Sequence, residues 1–346
     1  MSEYSDIELR EVNPRFKLSM ASVERLLGEC GLKYEALDYM AALFDDDNNA
    51  LACGGYAGST VKCLAVSEKE RGSGHLNTII SHLLQRLYSE GHDNVTIFTK
   101  PENEQMFVSL GFRLIARADK AIFMERGNGL EKYLKKLSEY KKDGKNGAVV
   151  MNCNPFTNGH RYLVEYASKQ CDNLYLFVVS EDRSLFPSDV RFELVKKGVS
   201  DLENVCVIEG GKYVISNSTF PSYFLKEYSD VTKSHTQIDI GIFGQYISKA
   251  LGITQRFVGQ ELTDAVTAEY NKTMEESLCG YGLEPLVVIP RKADGDGNII
   301  SASQVRKWIA KGDMESVKKC VPDTTYEYLT SDVAACVVER IKNEYK

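Results

Sequence analysis

One short stretch constrains this chain more than any other: Val149-Val150-Met151-Asn152-Cys153-Asn154-Pro155-Phe156-Thr157-Asn158-Gly159-His160. A β-branched run stops at Asn-Pro, crosses a Gly-His and enters an amphipathic helix marked by Tyr162, Leu163 and Tyr166. The order is strand, tight turn, helix N-terminus, a layout in which free backbone N–H groups and the helix dipole receive a phosphate. Gly159 has no Cβ to hold a phosphate away from the backbone. Near the other end, Asn298-Ile299-Ile300-Ser301-Ala302-Ser303-Gln304-Val305-Arg306-Lys307-Trp308 sets two hydroxyls, Ser301 and Ser303, where a helix would begin. They can cap its free N–H groups or hold phosphate oxygens. Arg306 follows Ser303 by three residues, so it projects from the first turn toward the same anion. Either stretch alone also reads as an ordinary turn or a serine cap. Both together, in this order and with α/β pattern between them, point to an ATP-binding site.

Thr157, Gly159 and His160 occupy the defined positions of the T/H-x-G-H signature of the adenylyltransferase (nucleotidylyltransferase) superfamily, and Ile300 to Arg306 resembles its I-S-x-S-x-x-R signature. The resemblance implies ATP contacts from Asn152, Cys153, Asn154, Phe156, Thr157, Gly159, His160, Ser301, Ser303 and Arg306. Gly259, Gln260 and Glu261, after a strand at Gln255–Val258, would face adenine or ribose, or merely end the strand. Where such proteins often carry Gly-x-Phe-Asp-Pro, this chain has Met151-Asn152-Cys153-Asn154-Pro155.

A chain of 346 residues exceeds one typical domain. Its 43% hydrophobic and 26% charged content describes a globular protein with ample core. The nine cysteines are scattered and form no Cys-x-x-Cys, so neither a zinc site nor a disulfide framework is expected, and a reduced cytoplasm fits best. No apolar run approaches a membrane span, and the acidic N-terminus is unlike a signal peptide. The net charge of −7, with no long basic stripe, argues against nucleic acid as a partner.

A first domain is expected over residues 1–127, a linker helix (Leu130 to Tyr140) and loop over 128–146, and a second domain over 147–346. In the first, Ala50–Ala57 and Thr60–Val66 read as strands, His75–Tyr88 as a helix with Leu76, Ile79, Ile80, Leu83, Leu84 and Leu87 on its apolar side, and Val95–Thr99 as a strand. Lys69-Glu70-Arg71-Gly72-Ser73-Gly74 precedes that helix. The pattern is similar to the GNAT-type N-acetyltransferase fold, whose R/Q-x-x-G-x-G/A loop binds the pyrophosphate of coenzyme A. Gly72 and Gly74 match, whereas Lys69 replaces the usual Arg or Gln. The resemblance implies a mixed α+β module that binds a CoA-like arm through Lys69, Arg71, Gly72 and Gly74. No general base for amine acetylation is evident.

The second domain alternates strand and helix. Strands are expected at Ala148–Met151, Leu174–Ser180, Val205–Ile208, Thr236–Gly241, Gln255–Val258 and Leu286–Ile289. Helices are expected at Arg161–Ser168, Asp189–Lys197, Pro221–Tyr228, Phe243–Ala250, Asp264–Leu278 and Ser303–Lys311, with further helices to the C-terminus. This predicts a doubly wound, Rossmann-like parallel sheet with ligands at the carboxyl ends of its strands.

Over nearly its whole length the chain resembles the citrate lyase ligases. The resemblance rests on both signatures, the GNAT-type domain, Arg256-Phe257-Val258-Gly259-Gln260-Glu261, Thr267-Ala268-Glu269-Tyr270-Asn271 and Ile289-Pro290-Arg291-Lys292. It implies an acid–thiol ligase using acetate, ATP and Mg²⁺, acting on the CoA-like prosthetic thiol of the citrate lyase acyl carrier subunit. A carboxylate is already ionised at neutral pH, so its attack on the α-phosphate needs alignment and charge neutralisation rather than a base. His160 and Arg306 suit those catalytic tasks. Thiol attack needs assistance, for which His235, Asp239 and Tyr270 are candidates, with Asp239, Tyr270 and Asn271 as candidate lining for the acyl or thiol pocket. Arg183, Arg191 and Lys212 remain weaker candidates for phosphates. The competing reading is an adenylyltransferase acting on a phosphorylated metabolite such as pantetheine phosphate or nicotinamide mononucleotide, which would leave the first domain without a task.

Overall fold

The computed structural model describes residues 7–180, 184–215, 220, 223–225, 228–260, 265–293, 297 and 299–345. The chain divides into two compact units, Met1–Glu131 with Pro221–Ser234, and Lys132–Phe220 with His235–Lys346.

The first unit is built on β1 (Glu8–Glu11), α1 (Lys17–Glu29), β2 (Tyr39–Phe44), β3 (Ala50–Ala57), β4 (Thr60–Val66), α2 (His75–Ser89), β5 (Val95–Thr99), α3 (Glu104–Ser109), β6 (Arg113–Arg117) and β7 (Ile122–Arg126). Its sheet runs β1-β2-β3-β4-β5-β7-β6, antiparallel except for the parallel pair β4–β5, which α2 connects. Ile79, Ile80, Leu83, Leu84 and Leu87 of α2 are buried and pack with Ala52, Val61, Ile97 and Met124. The expected bounds of β3, β4 and β5 match the structure. β1, α1, β2, β6 and β7 were not read from the sequence. In β2 all six residues are buried, and a short continuous apolar run has no alternation to mark it as a strand.

The parallel pairing of β4 with β5 covers only Thr60↔Thr96 and Val61↔Ile97. Just beyond it Cys63 adopts a positive φ of 54°. There Tyr223, only 5% exposed, donates its hydroxyl to the Phe98 carbonyl of β5 at 3.3 Å, with the Cys63 backbone close by. Its own carbonyl accepts from the Lys33 N–H at 2.9 Å. A residue from the returning segment thus bonds to β5 beside the point where the β4–β5 ladder stops.

After α4 (Gly129–Ser138), the second unit contains β8 (Asn146–Met151), α5 (Asn158–Ser168), β9 (Asn173–Val178), α6 (Ser188–Gly198), β10 (Val205–Glu209), α7 (Tyr228–Ile242), α8 (Ser248–Leu251), β11 (Ile253–Gly259), α9 (Ala265–Ser277) and β12 (Val287–Ile289). Helices α10 (Ala302–Lys311), α11 (Met314–Cys320), α12 (Asp323–Thr330) and α13 (Ala335–Glu344) follow. The sheet is parallel throughout, in the order β10-β9-β8-β11-β12. Successive strands move outward from β8 and then restart on its other side, so β8 and β11 flank the point of reversal where open α/β sheets bind ligands. Val149, Leu174, Leu176, Phe257 and Ile289 from the strands pack with Val164, Leu194, Val305 and Ile341 from the helices.

One expected strand is wrong. Thr236–Gly241 lies inside helix α7. The alternation of Thr236, Ile238 and Ile240 suggested a strand, but His235, Ile238, Asp239, Ile242 and Phe243 are all buried at helical spacing. Of the helix expected over Pro221–Tyr228, residues 221, 222, 226 and 227 lie outside the described residues, and Tyr223 and Phe224 form a turn. Among the described residues no helix is long and apolar enough to cross a membrane. All nine cysteines are free thiols.

Candidate active site

A cavity of about 610 Å³ opens at the carboxyl ends of β8 and β11. It gathers Asn152, Cys153, Asn154, Thr157, Gly159 and His160 from the first stretch, Gly259 from the end of β11, and Ser301, Ser303 and Arg306 from the second stretch. The two stretches, some 140 residues apart in sequence, meet here. An added Cβ on Gly159 would stand 3.2 Å from the Ile300 carbonyl oxygen, so this glycine lets α5 approach the strand-like lead into α10.

His160 is held by a reciprocal cap. Thr157 precedes α5 in an extended conformation, its Oγ1 accepts from the His160 N–H at 3.4 Å, and its own N–H donates to His160 Nδ1 at 3.1 Å. Nδ1 is therefore an acceptor, and the proton of the neutral ring resides on Nε2, on the edge away from the turn. The imidazole stacks on the fully buried Phe156, with ring centroids 6.0 Å apart and planes 12° apart. Burial, aided by the positive charge of Arg291, pushes the ring pKa down to about 4. His160 is thus a neutral hydrogen-bond donor at physiological pH.

Arg306 projects from α10, donating to the Asn154 carbonyl at 2.5 Å, to Ser303 Oγ at 3.5 Å and to the Tyr345 hydroxyl at 3.4 Å. Ser301 caps α10 by accepting from the Gln304 N–H at 3.1 Å. Cys153 has a positive φ of 56° and is buried, which raises its thiol pKa far above the physiological range; it is no nucleophile. Asn154 Oδ1 accepts from the Phe186 N–H at 3.1 Å. Arg191, proposed from sequence as a phosphate ligand, is fully buried and donates to the Phe186, Asn152 and Val179 carbonyls, so it holds the turn rather than facing the cavity. Glu261 and Arg183 lie outside the described residues.

Gln260 lines the cavity beside Gly259, and sequence reasoning missed Arg291 and Lys292, which also line it. The signal was the paired cations directly after β12, at the carboxyl edge of the sheet. Among the described lining residues Arg291, Lys292 and Arg306 are cationic and none is acidic, in a chain of net charge −7. Such a site suits a polyanion.

The other candidates lie elsewhere. Tyr270 donates to Asp239 Oδ2 at 2.5 Å and accepts from Arg256 Nη2 at 2.9 Å, and His235 stacks on Tyr270 with ring centroids 5.9 Å apart. The cluster ties α7, β11 and α9 together. Burial lowers the His235 pKa and raises that of Tyr270, keeping both neutral. Asn271 alone reaches toward the cavity, donating to the Gly259 carbonyl at 3.3 Å. In the first unit Gly72 and Gly74 both have φ of 88°, and α2 begins after Gly74 without a side-chain cap. Lys69 and Arg71 line a separate cavity of about 780 Å³ together with Glu29, Glu68 and Glu70. Among the described residues no group of three or more His, Cys, Asp or Glu side chains is placed to hold a metal ion.

The second unit is an open parallel sheet that brings a Thr-x-Gly-His turn and a serine–arginine helix start together at its point of reversal, and the first is a mixed, mostly antiparallel sheet. Residues 146–329 match the family model described as the citrate lyase ligase C-terminal domain. The chain is 40% identical over 321 residues to the [citrate [pro-3S]-lyase] ligase of Haemophilus influenzae, covering 90% of this chain and 95% of that protein. It is 38% identical over 321 residues to the ligase of the same name from Escherichia coli, covering 90% of each. The chain belongs to the citrate lyase ligase family and is a ligase. Among solved structures, a GNAT-family acetyltransferase from Staphylococcus aureus is 14% identical, with 35% of this chain and 98% of that chain covered at a TM-score of 0.30. An acyl-CoA N-acyltransferase from Pseudomonas aeruginosa is 15% identical, with 36% and 99% covered at a TM-score of 0.30.

Proposed function

We propose that this protein activates acetate with ATP and transfers the acetyl group to the CoA-like prosthetic thiol of the citrate lyase acyl carrier subunit, which activates that lyase. The observation that carries this reading is the meeting of both phosphate-binding stretches around one cationic cavity, in a chain of this family. An acetate oxygen attacks the α-phosphorus of ATP, the bond from that phosphorus to the bridging oxygen breaks, and pyrophosphate departs with the electron pair. The carrier thiolate then attacks the carbonyl of acetyl-adenylate, and AMP leaves.

His160 Nε2–H donates to an α-phosphate oxygen, where charge develops, and Arg306 grips oxygens of the departing pyrophosphate. Thr157, Gly159, Ser301 and Ser303 line the phosphates, with Asn152, Cys153 and Asn154 forming the turn beneath them. Gly259 faces the nucleoside, and Glu261 is a candidate to bind it. Arg291 and Lys292 add positive charge to the same cavity. Mg²⁺ would neutralise phosphate charge. The described lining offers amide and hydroxyl oxygens but no carboxylate, which fits an ion carried mainly by the nucleotide itself. Asn271 borders the acyl side through Gly259, while Asp239 and Tyr270 shape that wall from within. Lys69, Arg71, Gly72 and Gly74 receive the CoA-like arm at the uncapped start of α2. The reaction is placed in the cytoplasm, without membrane or nucleic acid.

The test is exchange of labelled pyrophosphate into ATP. Acetate-dependent exchange without any thiol is expected. Exchange that ignores carboxylic acids and requires a phosphorylated metabolite would overturn this reading in favour of an adenylyltransferase.

A further inference from the structure

Helices α10 and α13 enclose a groove of about 380 Å³ lined by Lys307, Ala310, Lys311, Lys342 and Tyr345. The three lysines are exposed, and none stands within ion-pairing distance of a described carboxylate. Asp313 at the start of α11 feels the charge of Lys311, but its carboxylate is engaged in capping Ser316. The acidic residues Glu339 and Glu344 of α13 do not line the groove. Its floor is apolar, from Ala310, the Tyr345 ring and the lysine stems, and its rim is cationic.

The groove adjoins the active site. Tyr345 lines it and accepts from Arg306 Nε at 3.4 Å, and Arg306 lines the ATP cavity. α10 therefore presents Arg306 to one cavity and Lys307 and Lys311 to the other. In a chain of net charge −7, an acidic partner is repelled over most of the surface and is attracted and oriented where cations stand unpaired.

We propose that this groove is the docking site for an acidic, amphipathic segment of the acyl carrier subunit. The proposal rests on the function argued above. It places the carrier beside the mouth of the cavity where its thiol must arrive, with one apolar side chain of the segment on Ala310 and Tyr345 and its carboxylates on the lysines.

The test replaces all three lysines, as Lys307→Glu with Lys311→Glu and Lys342→Glu, and measures three reactions: acetate-dependent pyrophosphate exchange, acetylation of a small free thiol, and acetylation of the carrier subunit. Exchange and small-thiol acetylation should match the wild type, while the KM for the carrier rises about tenfold or more. The wild-type carrier KM should climb with salt, and that of the variant should not. An unchanged carrier KM with intact exchange would overturn the groove as docking site. Absence of acetate-dependent exchange in the wild type would overturn the ligase reading instead. Should the glutamate variant lose exchange through misfolding, the triple Lys→Gln variant decides, a raised carrier KM supporting the groove and an unchanged one rejecting it. A raised KM for ATP with an unchanged carrier KM would show the lysines serving the nucleotide, which also rejects it.

Discussion

At the scale of residues, the site turns on two side chains with different tasks. If His160 acts where charge appears in the transition state, His160→Ala should lower kcat on the order of a hundredfold or more, with little change in ATP affinity. Steady-state kinetics across ATP concentrations checks this; weakened ATP binding with intact kcat would remove the assigned role. Arg306→Lys should raise the KM for ATP and reduce turnover, because an ammonium cannot replace the planar fork. The His160 pKa has a consequence for stability. Its folded value of about 4 lies below the ordinary value, so between pH 6.5 and 4 the unfolded chain binds a proton that the folded ring refuses. Stability from this group is complete above pH 6.5 and declines as pH falls toward 4. An NMR titration of His160 in the free protein should show a midpoint near 4; a midpoint between 6 and 7 would contradict the desolvated neutral ring. Thr157, His160 and Arg306 were legible in the sequence because a cap, a turn and a helix start are local patterns. Arg291 and Lys292 were not singled out, because their role depends on where the sheet carries the end of β12. The stacking of Phe156 on His160 was invisible for the same reason.

Among the elements, α6 supports the His160 ring through a missing side chain. A Cβ on Gly198 would stand 2.5 Å from Phe156 Cε1, and Phe156 is the platform on which His160 stacks. Gly198→Ala should therefore cost about 1–3 kcal/mol of stability by overpacking. It should also lower kcat more than it raises the KM for ATP, because the ring is displaced rather than removed. Denaturant unfolding together with kinetics checks both parts, and stability loss without any change in kcat would uncouple α6 from the site. Elements with a clear period were read correctly from the sequence, as β3, β4, β5 and α2 show. Helix α7 defeated the reading because it is buried on nearly all sides, so polar residues such as Thr236 and Asp239 interrupted neither pattern cleanly. Some of its buried polar atoms find partners in distant segments, as where the Ile215 N–H donates to Asp239 Oδ1 at 3.0 Å, while His235 Nδ1 is buried without one.

For the molecule as a whole, the alternation of strands and helices disclosed the parallel sheet, and the order of the two signatures disclosed its site. Nothing local disclosed that residues 221–234 rejoin the first unit, since the partners of Tyr223 at Lys33 and Phe98 lie more than a hundred residues earlier. Tyr223→Phe should cost about 1 kcal/mol, because it removes a buried hydrogen bond to the Phe98 carbonyl. Urea unfolding measures it, and an unchanged midpoint would show the strands holding together unaided. The same contact sets an order of events during synthesis. When Glu131 leaves the ribosome the first unit still lacks part of its own interior, and the roughly hundred residues that must follow take about 5 to 20 s at about 5–20 residues per second. Throughout that interval the Phe98 carbonyl waits for the hydroxyl that will meet it, so the first unit to be started is completed only after the opening stretch of the second has been made.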